Sequence, residues 1–600
     1  MRLLPVLPVV TPLITAAVLA LLTKLLPRGW SSLIAIASAV ATAAAGALLF
    51  EGSLQQPIIY WFGNWKPKGH IALGISFAID PIGAGLATFA AVLTAAALIY
   101  ASKYFDSVEN HFHALILCFL GAMCGFSLTG DMFNLFVFFE LMSAAAFALC
   151  AYKTEDPGAL QGALNFAVTN TIGAYFVLTG LALLYARTGA LNMAQMSEAL
   201  AAHSGGKLVL VAFAFVSCGY LVKAAVVPFH FWLADAHAVA PSPVCVLFSG
   251  VMVEMGLYAV TRIYWAVFDR TLHAHIPSLR VLFISIGVAT ALLGAIMCFS
   301  QRNLKRLLAF STISHVGLMT LGIGLFTAGG LAGAALYTVG HGLVKGGLFL
   351  AAGILLHRFS TVDELDLHGR GRTEKWAGFV FFAGALGLAG LPPSGVSAGD
   401  DLIHEAAQAV GYHWIRWISF FAGAVTSAAV LRATCRIFFG WGPRRADEPG
   451  GAPKTQEARE TDRSRQATPA IMTGPAVVLV MAGILLSFTP HLKRVATQSS
   501  ITFQNPEGYT ARVLRANPEP TPPAPVPADN SHLLGIVALV CAAIGAVCYL
   551  FSKPFRSTSH WILRPLGVLH TLHSGHVGDY VAFLTFGIAA FGLVCIFCLK

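Results

Sequence analysis

The chain has 600 residues, of which 56% are hydrophobic and 11% are charged, and its mean hydropathy is +0.72. Soluble domains carry about a quarter charged residues, so a water-soluble enzyme is excluded for most of this length. The net charge of +10 does not require a nucleic-acid partner, because basic residues of membrane proteins gather in the loops on one side. Long apolar runs, rather than alternating runs of about ten residues, indicate helices and exclude a transmembrane barrel.

The apolar runs predict an all-α polytopic membrane protein with about sixteen crossings, at ~20 residues per crossing. The first run is followed directly by another and has no clear small-residue cleavage site, so it is interpreted as an uncleaved helix. Residues 376–411 are treated as one broken crossing, because Pro392, Pro393, Gly395 and Gly399 interrupt them. The predicted apolar segments are residues 3–26, 30–50, 77–101, 112–129, 131–152, 162–186, 208–230, 243–268, 279–299, 307–327, 331–357, 376–392, 398–411, 415–440, 470–489, 532–552 and 575–598.

Two polar stretches divide the predicted helices into regions. One mixes both charge signs with glycine and proline, and the other has six prolines between Pro518 and Pro527, the composition of an extended linker. Neither stretch is long enough to be a catalytic domain. The predicted regions are N-terminal membrane helices at 1–110, a core at 111–440, a polar loop at 441–469, a membrane helix at 470–490, a proline-rich extramembrane linker at 491–531 and C-terminal membrane helices at 532–600.

Basic residues predict the orientation. Alternate threading of the helices gathers most lysines and arginines on one side, which is expected to be the cytoplasm, and this leaves the N-terminus outside. A multi-pass protein of the cell (inner) membrane is therefore predicted. The residues on the basic side are Lys24, Arg28, Lys103, Lys153, Arg302, Lys305, Arg306, Arg358, Arg370, Arg372, Lys375, Arg444, Arg445, Lys553 and Arg556.

A short internal repeat indicates a transporter-like architecture. Leu-Val-Lys at 221–223 recurs at 343–345, and each copy lies in a membrane run that also contains glycine or proline. Interrupted helices at corresponding positions of two halves are typical of transporters built from repeats, with the pathway at the broken segments.

Five titratable residues lie inside predicted membrane helices: Glu140, Lys223, Glu254, His341 and Lys345. Each formal charge at the bilayer centre costs ~2.5–3.5 kcal/mol, so these side chains must face one another, water or a partner subunit. One interpretation is static ion pairing, for instance Glu140 with Lys223. The other is proton relay, because burial disfavours the charged form of acids and amines alike and brings both toward proton exchange near neutral pH.

Other polar residues give weaker signals. His111 and His113 flank a helix start, and His230, Asp235 and His237 lie in a connecting segment, where interfacial hydrogen bonding is favoured over metal binding because no third strong ligand is apparent. No metal or cofactor site is predicted, and no redox or hydrolytic motif is present.

Several segments together resemble the antiporter-like subunits, a family that comprises the D subunit of Mrp-type cation/proton antiporters and the proton-channel subunits of respiratory complex I and membrane-bound hydrogenases. The resemblance covers about residues 75–440, and its phenylalanine-rich start is most similar to the Mrp D branch. The segments are Asp131-Met-Phe-Asn-Leu-Phe-Val-Phe-Phe-Glu140, residues 221–233 followed by Ala-Pro-Ser-Pro at 240–243, residues 303–317, His-Gly-Leu-Val-Lys at 341–345 and Gly-Leu-Pro-Pro-Ser-Gly at 390–395.

The resemblance implies a core of about 14 helices with two inverted five-helix repeats, at about 112–268 and 279–440, each with a broken helix. It also implies a hydrated polar axis along the middle of the membrane. On the family pattern, Glu140 and Lys223 would be the acid and lysine of the first half-channel. His315, His341 and Lys345 would form the connection and the second half.

The chain departs from the family pattern at two places. Glu254 stands where members usually have a lysine or sometimes a histidine, and it is interpreted as a proton carrier between the half-channels or, alternatively, as a static counter-charge for Lys223. Family members usually carry a lysine or glutamate in the broken twelfth helix. The acidic residues of this chain are displaced from that position by about one residue. The exit residue is therefore either Asp400 or Asp401.

Three functions are compatible with the sequence. The first is a proton-conducting subunit of a multisubunit Na⁺/H⁺ antiporter, and the second is a proton-pumping, translocase-type subunit of an NADH-quinone oxidoreductase or hydrogenase whose redox chemistry lies in other chains. The third is an independent broken-helix solute carrier. The expected partners are other membrane subunits, protons, possible Na⁺ cargo and the lipid bilayer, with no nucleic acid.

Overall fold

The computed structural model describes residues 3–69, 71–105, 110–202, 206–444, 468–489, 491–515, 533–552 and 572–598. Three of the basic residues used to predict the orientation, Arg445, Lys553 and Arg556, lie outside these ranges. Most of the predicted polar loop and the six prolines from Pro518 to Pro527 lie outside them as well.

The described chain is helical apart from loops and one two-stranded antiparallel sheet, in which β1 (Ile58–Trp61) pairs with β2 (Ser76–Ile79). The helices before the first break are α1 (Leu7–Leu21), α2 (Arg28–Gln55), α3 (Pro81–Tyr104), α4 (Asn110–Leu128), α5 (Met132–Cys150), α6 (Pro157–Thr188), α7 (Met193–Ala202) and α8 (Lys207–Lys223). Those up to the second break are α9 (Phe231–Val239), α10 (Ser242–Leu247), α11 (Val253–Ile263), α12 (Asp269–Leu272), α13 (Ile276–Ser300), α14 (Leu304–Gly324), α15 (Ala328–Phe359) and α16 (Lys375–Leu388). The remainder are α17 (Gly395–Ala409), α18 (Ile415–Thr434), α19 (Ala470–Leu485), α20 (Leu492–Phe503), α21 (Pro506–Arg515), α22 (Leu533–Phe551) and α23 (Val577–Cys598).

Within the described residues, 12 helical segments are long and apolar enough to cross a membrane, and the chain is a multi-pass membrane protein. One of them, Ser242–Ser300, joins α10 to α13 through two short π-helical stretches and a 3₁₀ turn. Two shorter apolar helices, Lys375–Leu388 and Gly535–Phe551, add to these. The sequence predicted about sixteen crossings. Fewer are counted because breaks shorten α8 and Lys375–Leu388, because Ser242–Ser300 unites two predicted segments, and because Gly535–Phe551 is also below the spanning length.

Two breaks interrupt the helical core. Residues 224–230 separate α8 from α9, and residues 389–394 separate α16 from α17. A break exposes backbone groups that must find other partners inside a membrane. At the first break, the Trp232 indole donates to the carbonyl of Val222 (2.9 Å), and the Val227 amide donates to the Thr290 hydroxyl (3.1 Å).

The core is built around α14 and α15, which are buried along almost their whole length. Glycine lets neighbouring backbones come close: a Cβ on Gly340 of α15 would lie 2.5 Å from the backbone of Gly395 at the start of α17. Small residues at such crossings are typical of helix packing in membranes. The second break therefore lies against the central helix α15.

Three expectations from the sequence differ from the structure. The Leu-Val-Lys repeat does not mark two equivalent breaks, because Lys223 ends α8 at a break whereas Lys345 lies inside the continuous helix α15, where glycines serve packing. Residues 492–503 and 506–515 form α20 and α21 rather than an extended linker, since the prolines that disfavour helix begin only at Pro518. Lys305, assigned to a loop, is buried in the first turn of α14 and donates to the carbonyl of Ala240 (3.1 Å).

Candidate proton pathway

The first group of buried charges lies where α8 ends. The Lys223 ammonium is fully buried and donates to the Ser143 hydroxyl of α5 (2.9 Å), and it lies over the ring of Phe139 at 5.0 Å from its centroid. Glu140 is one turn before Ser143 on the same helix, and its Oε1 is buried without a hydrogen-bond partner. The charges of Glu140 and Lys223 interact electrostatically, but the predicted pair is not in direct contact. The helix break places the lysine, and its hydrogen bond goes to Ser143 rather than to the carboxylate.

The second group joins α11 to α15. Glu254 Oε1 and His341 Nδ1 lie 3.2 Å apart, and both side chains are inaccessible to solvent, at 1% and 0% exposure. The second carboxyl oxygen of Glu254 is buried without a hydrogen-bond partner. Glu254 is the second residue after the π-helical stretch Phe248–Met252, and such stretches are frequent at functional sites. The sequence placed Glu254 near Lys223 or Lys345, whereas its direct partner is a histidine, and either atom of the pair can hold the shared proton.

His315 of α14 continues this group. Its ring is stacked on that of His341, with centroids 5.1 Å apart and planes inclined by 26°. Nδ1 of His315 lies 2.7 Å from the Tyr337 hydroxyl, and Nε2 lies 3.2 Å from the Thr426 hydroxyl of α18. Both nitrogens therefore have a partner that can donate or accept a proton. Glu254, His341, His315 and Tyr337 form a row that we call the central row.

Lys345 lies one turn beyond His341 on α15 and is fully buried. Its ammonium donates to the Ser311 hydroxyl and to the Leu308 carbonyl, both on α14. His341 and Lys345 share a helix face, as the sequence predicted, but their polar groups bond to different partners. Each contacts α14 at a different level.

Two acidic residues follow the second break, and the structure separates their surroundings. Asp401 pairs with Lys493 of α20 at 2.9 Å. Asp400 lies 3.5 Å from His404 Nε2 and interacts electrostatically with Tyr337, the last member of the central row. Asp401 is therefore held by a lysine of α20, whereas Asp400 faces a histidine of its own helix.

Three other buried arginines form direct ion pairs with carboxylates. Glu364 accepts hydrogen bonds from Arg436 (2.6 Å) and Arg432 (3.3 Å), and Arg262 donates to Asp80. Each of these carboxylates is paired directly with an arginine. Pairing with arginine thus distinguishes these charges from Glu254, whose direct partner is a histidine.

Several pathway residues were not singled out from the sequence. Tyr337, Thr426 and Ser143 contact the titratable groups, but a single hydroxyl in an apolar run has no signature of its own. His237 was expected to form interfacial hydrogen bonds; instead it is buried in α9, stacks on Phe349 at 4.7 Å, and neither ring nitrogen has a hydrogen-bond partner. Its burial could have been inferred from the apolar helical run that resumes after the first break, because this run contains His237.

Known proteins resemble this chain over most of its length. Residues 129–426 match the family model described as "NADH:quinone oxidoreductase/Mrp antiporter, TM". The chain is 35% identical to the N subunit of the NADH-quinone oxidoreductase of Desulforudis audaxviator over 400 residues, which covers 65% of this chain and 77% of that protein. The chain belongs to the NADH:quinone oxidoreductase/Mrp antiporter membrane-subunit family.

Other relatives of this family cover more of the chain. The identity to the D subunit of the Na⁺/H⁺ antiporter of Bacillus subtilis is 27% over 519 residues, which covers 85% of this chain and 99% of that protein. The Mrp complex of Dietzia sp. and the archaeal membrane-bound sulfane sulfur reductase each contain a similar chain, with a TM-score of 0.74, 25% identity, and coverage of 86% of this chain and 100% of theirs. The family and the all-α fold with an antiporter-like core, both predicted from the sequence, are confirmed.

Proposed function

We propose that this chain is a proton-conducting subunit of a multisubunit cation/proton antiporter of the Mrp type, in which it has the place of the D subunit. The observation that carries the proposal is the central row, in which Glu254, His341, His315 and Tyr337 follow one another inside the membrane. A proton relay needs titratable groups within about 2.6–3.2 Å, directly or through one water. Two links of the row meet this requirement, and the stacked histidines form the third.

The pathway that we propose has three parts. Glu140 and Lys223 receive the proton beside the first break, Glu254 and His341 carry it across the middle, and His315 with Tyr337 passes it toward Asp400. Lys345 lies beside the row, and it gains and loses its own proton as the row does. We assign Asp400 rather than Asp401 as the exit residue, because Asp401 is already paired with Lys493.

Coverage of 99% of the antiporter protein supports the Mrp assignment, since the match extends over the full length of that protein. The second candidate is a proton-pumping subunit of an NADH-quinone oxidoreductase, and the 35% identity to the N subunit of such an enzyme supports it. Both candidates use the same pathway and differ in the partner subunits. We further propose that the chain lies in the cell membrane with its N-terminus outside. The basic loop residues mark the cytoplasmic side, and the N-terminus is on the opposite side.

The test is purification of the tagged chain from its native membrane, identification of the co-purifying subunits, and reconstitution of the complex in liposomes that contain a pH-sensitive dye. An antiporter complex should move protons when Na⁺ or K⁺ is added on one side, and its partners should be small membrane subunits. Proton movement driven only by quinone reduction, with iron–sulfur subunits in the complex, would favour the second candidate. Transport by the isolated chain without partners would contradict both.

A further inference from the structure

The two C-terminal helices each place a glycine against one of the two helix breaks. On α23, a Cβ at Gly587 would lie 2.5 Å from Pro228 Cγ and 2.8 Å from Phe229 Cε1. On α22, a Cβ at Gly535 would lie 2.5 Å from the carbonyl oxygen of Gly390. No real Cβ tolerates such distances, so both helices approach the breaks as closely as only glycine permits.

Each of these helices is also held by further contacts with the core. Tyr580 of α23 donates to Asp235 of α9 (2.7 Å) and stacks on Phe231, the first residue of α9, at 5.5 Å. Because α23 packs along α8 as well, it contacts the broken helix on both sides of the interruption. The α22 helix packs along α18, and Phe551 at its end contacts Trp441 at 5.8 Å.

We propose that α22 and α23 act as a brace that holds the two breaks in position and thereby fixes Lys223 and Asp400 relative to the proton pathway. Lys223 is the last residue before the first break, and Asp400 lies in the second turn after the second break. Interrupted backbone lacks the regular helical hydrogen bonds that resist displacement. Proton transfer depends steeply on the distance between groups, so a displaced break slows it. This inference rests on the proposed function, and Gly535, Gly587 and Tyr580 are positioning residues.

The chain offers matched variants on the same helices. Gly587→Ala and Gly535→Ala place a methyl group against a break. Gly592→Ala on α23 has no atom within 4 Å of the new Cβ, and Gly545→Ala on α22 meets only Ala428 Cβ at 3.9 Å. All four substitutions raise helix propensity equally, so the difference within each pair isolates the contact with the break.

The experiment measures amide hydrogen exchange of residues 224–230 and 389–394 in the intact complex, together with proton flux. We expect about tenfold faster exchange at 224–230 in Gly587→Ala and at 389–394 in Gly535→Ala, because overpacking a tight contact typically shifts an opening equilibrium by about 5- to 150-fold. Proton flux per assembled complex should fall by a similar factor in both, and the control of each pair should match wild type.

If Gly587→Ala fails to assemble, Tyr580→Phe is measured instead, since it removes the hydrogen bond to Asp235 together with the one that the hydroxyl accepts from the Gly575 amide, and faster exchange at the first break is expected. If Gly535→Ala fails to assemble, Phe551→Leu is measured instead, since it removes the ring contact of α22 with Trp441, and faster exchange at 389–394 is expected. Equal exchange in tight-contact and control variants, or normal exchange in Tyr580→Phe, would overturn the brace. Absence of proton flux in the wild-type complex would instead refute the proposed function and leave the exchange result to be judged alone.

Discussion

Replacing Glu254 with glutamine separates a proton carrier from a static counter-charge. The amide keeps the volume of the carboxyl and an oxygen that can accept the hydrogen bond from His341 Nδ1 (3.2 Å in the structure), but it cannot release a proton. Because this hydrogen bond is kept, the unfolding free energy should change by no more than about 1.5 kcal/mol, the upper end of the net contribution of one hydrogen bond. A positioned proton-transfer group contributes about 10²–10⁴-fold in rate, so proton flux should fall by at least about 100-fold.

The assay is proton flux into liposomes that contain the reconstituted complex, normalised to the amount of assembled complex. Glu364→Gln is the matched control, because Glu364 is equally buried but paired with Arg432 and Arg436. Breaking such a pair costs about 3–5 kcal/mol of stability, yet flux per assembled complex should remain near that of wild type. Near-normal flux in Glu254→Gln would show that the proton path does not pass through this carboxyl.

Two further predictions concern the ends of the pathway, and a third concerns the N-cap of α5. Lys223→Ala should abolish cation-coupled transport in an assembled complex, and Ser143→Ala should slow it about tenfold, since a hydrogen bond to a charged group contributes about 1.5–3 kcal/mol; full transport in Lys223→Ala would refute this role. Asp400→Asn should lose flux measured in liposomes, whereas Asp401→Asn should keep it; the reverse order would move the exit to Asp401. Burial raises the pKa of Asp131, at the N-cap before α5, from 3.8 to about 6, so the folded state binds this proton more tightly and loses stability as pH rises from about 4 to 6. Asp131→Asn keeps the cap, and at pH 7.5 it should raise the unfolding free energy by up to about 3 kcal/mol and the melting temperature with it. Neither should rise at pH 4, and an equal effect at both pH values would contradict this.

The sequence was sufficient to predict which helices carry charge. Glu254, His341 and Lys345 are costly in an apolar run, and this cost makes them visible without a structure. Their partners were not predictable, because a pairing depends on helix rotation and depth. Glu254 was expected beside a lysine, but α11 and α15 are aligned so that it meets His341.

Hydroxyl groups and helix breaks were less predictable still. Tyr337 is one tyrosine among 14 in the chain, and only its contact with His315 distinguishes it. The Leu-Val-Lys repeat suggested two equivalent breaks. The two copies match in sequence but not in structure, because Lys345 lies in a continuous helix. The family-wide motifs predicted the core, whereas the brace formed by α22 and α23 depends on contacts between distant parts of the chain.

The most direct test of the account is proton flux through the complex after His341→Leu, because His341 contacts both Glu254 and His315 in the central row. Leucine fills the buried volume but cannot carry a proton. The account predicts an assembled complex with proton flux lower by about 100-fold or more, a larger effect than the stability lost when the buried Glu254 carboxyl is left without its partner. Flux within about twofold of wild type, or loss of the folded complex with flux preserved in the remainder, would contradict the central row as the route of protons.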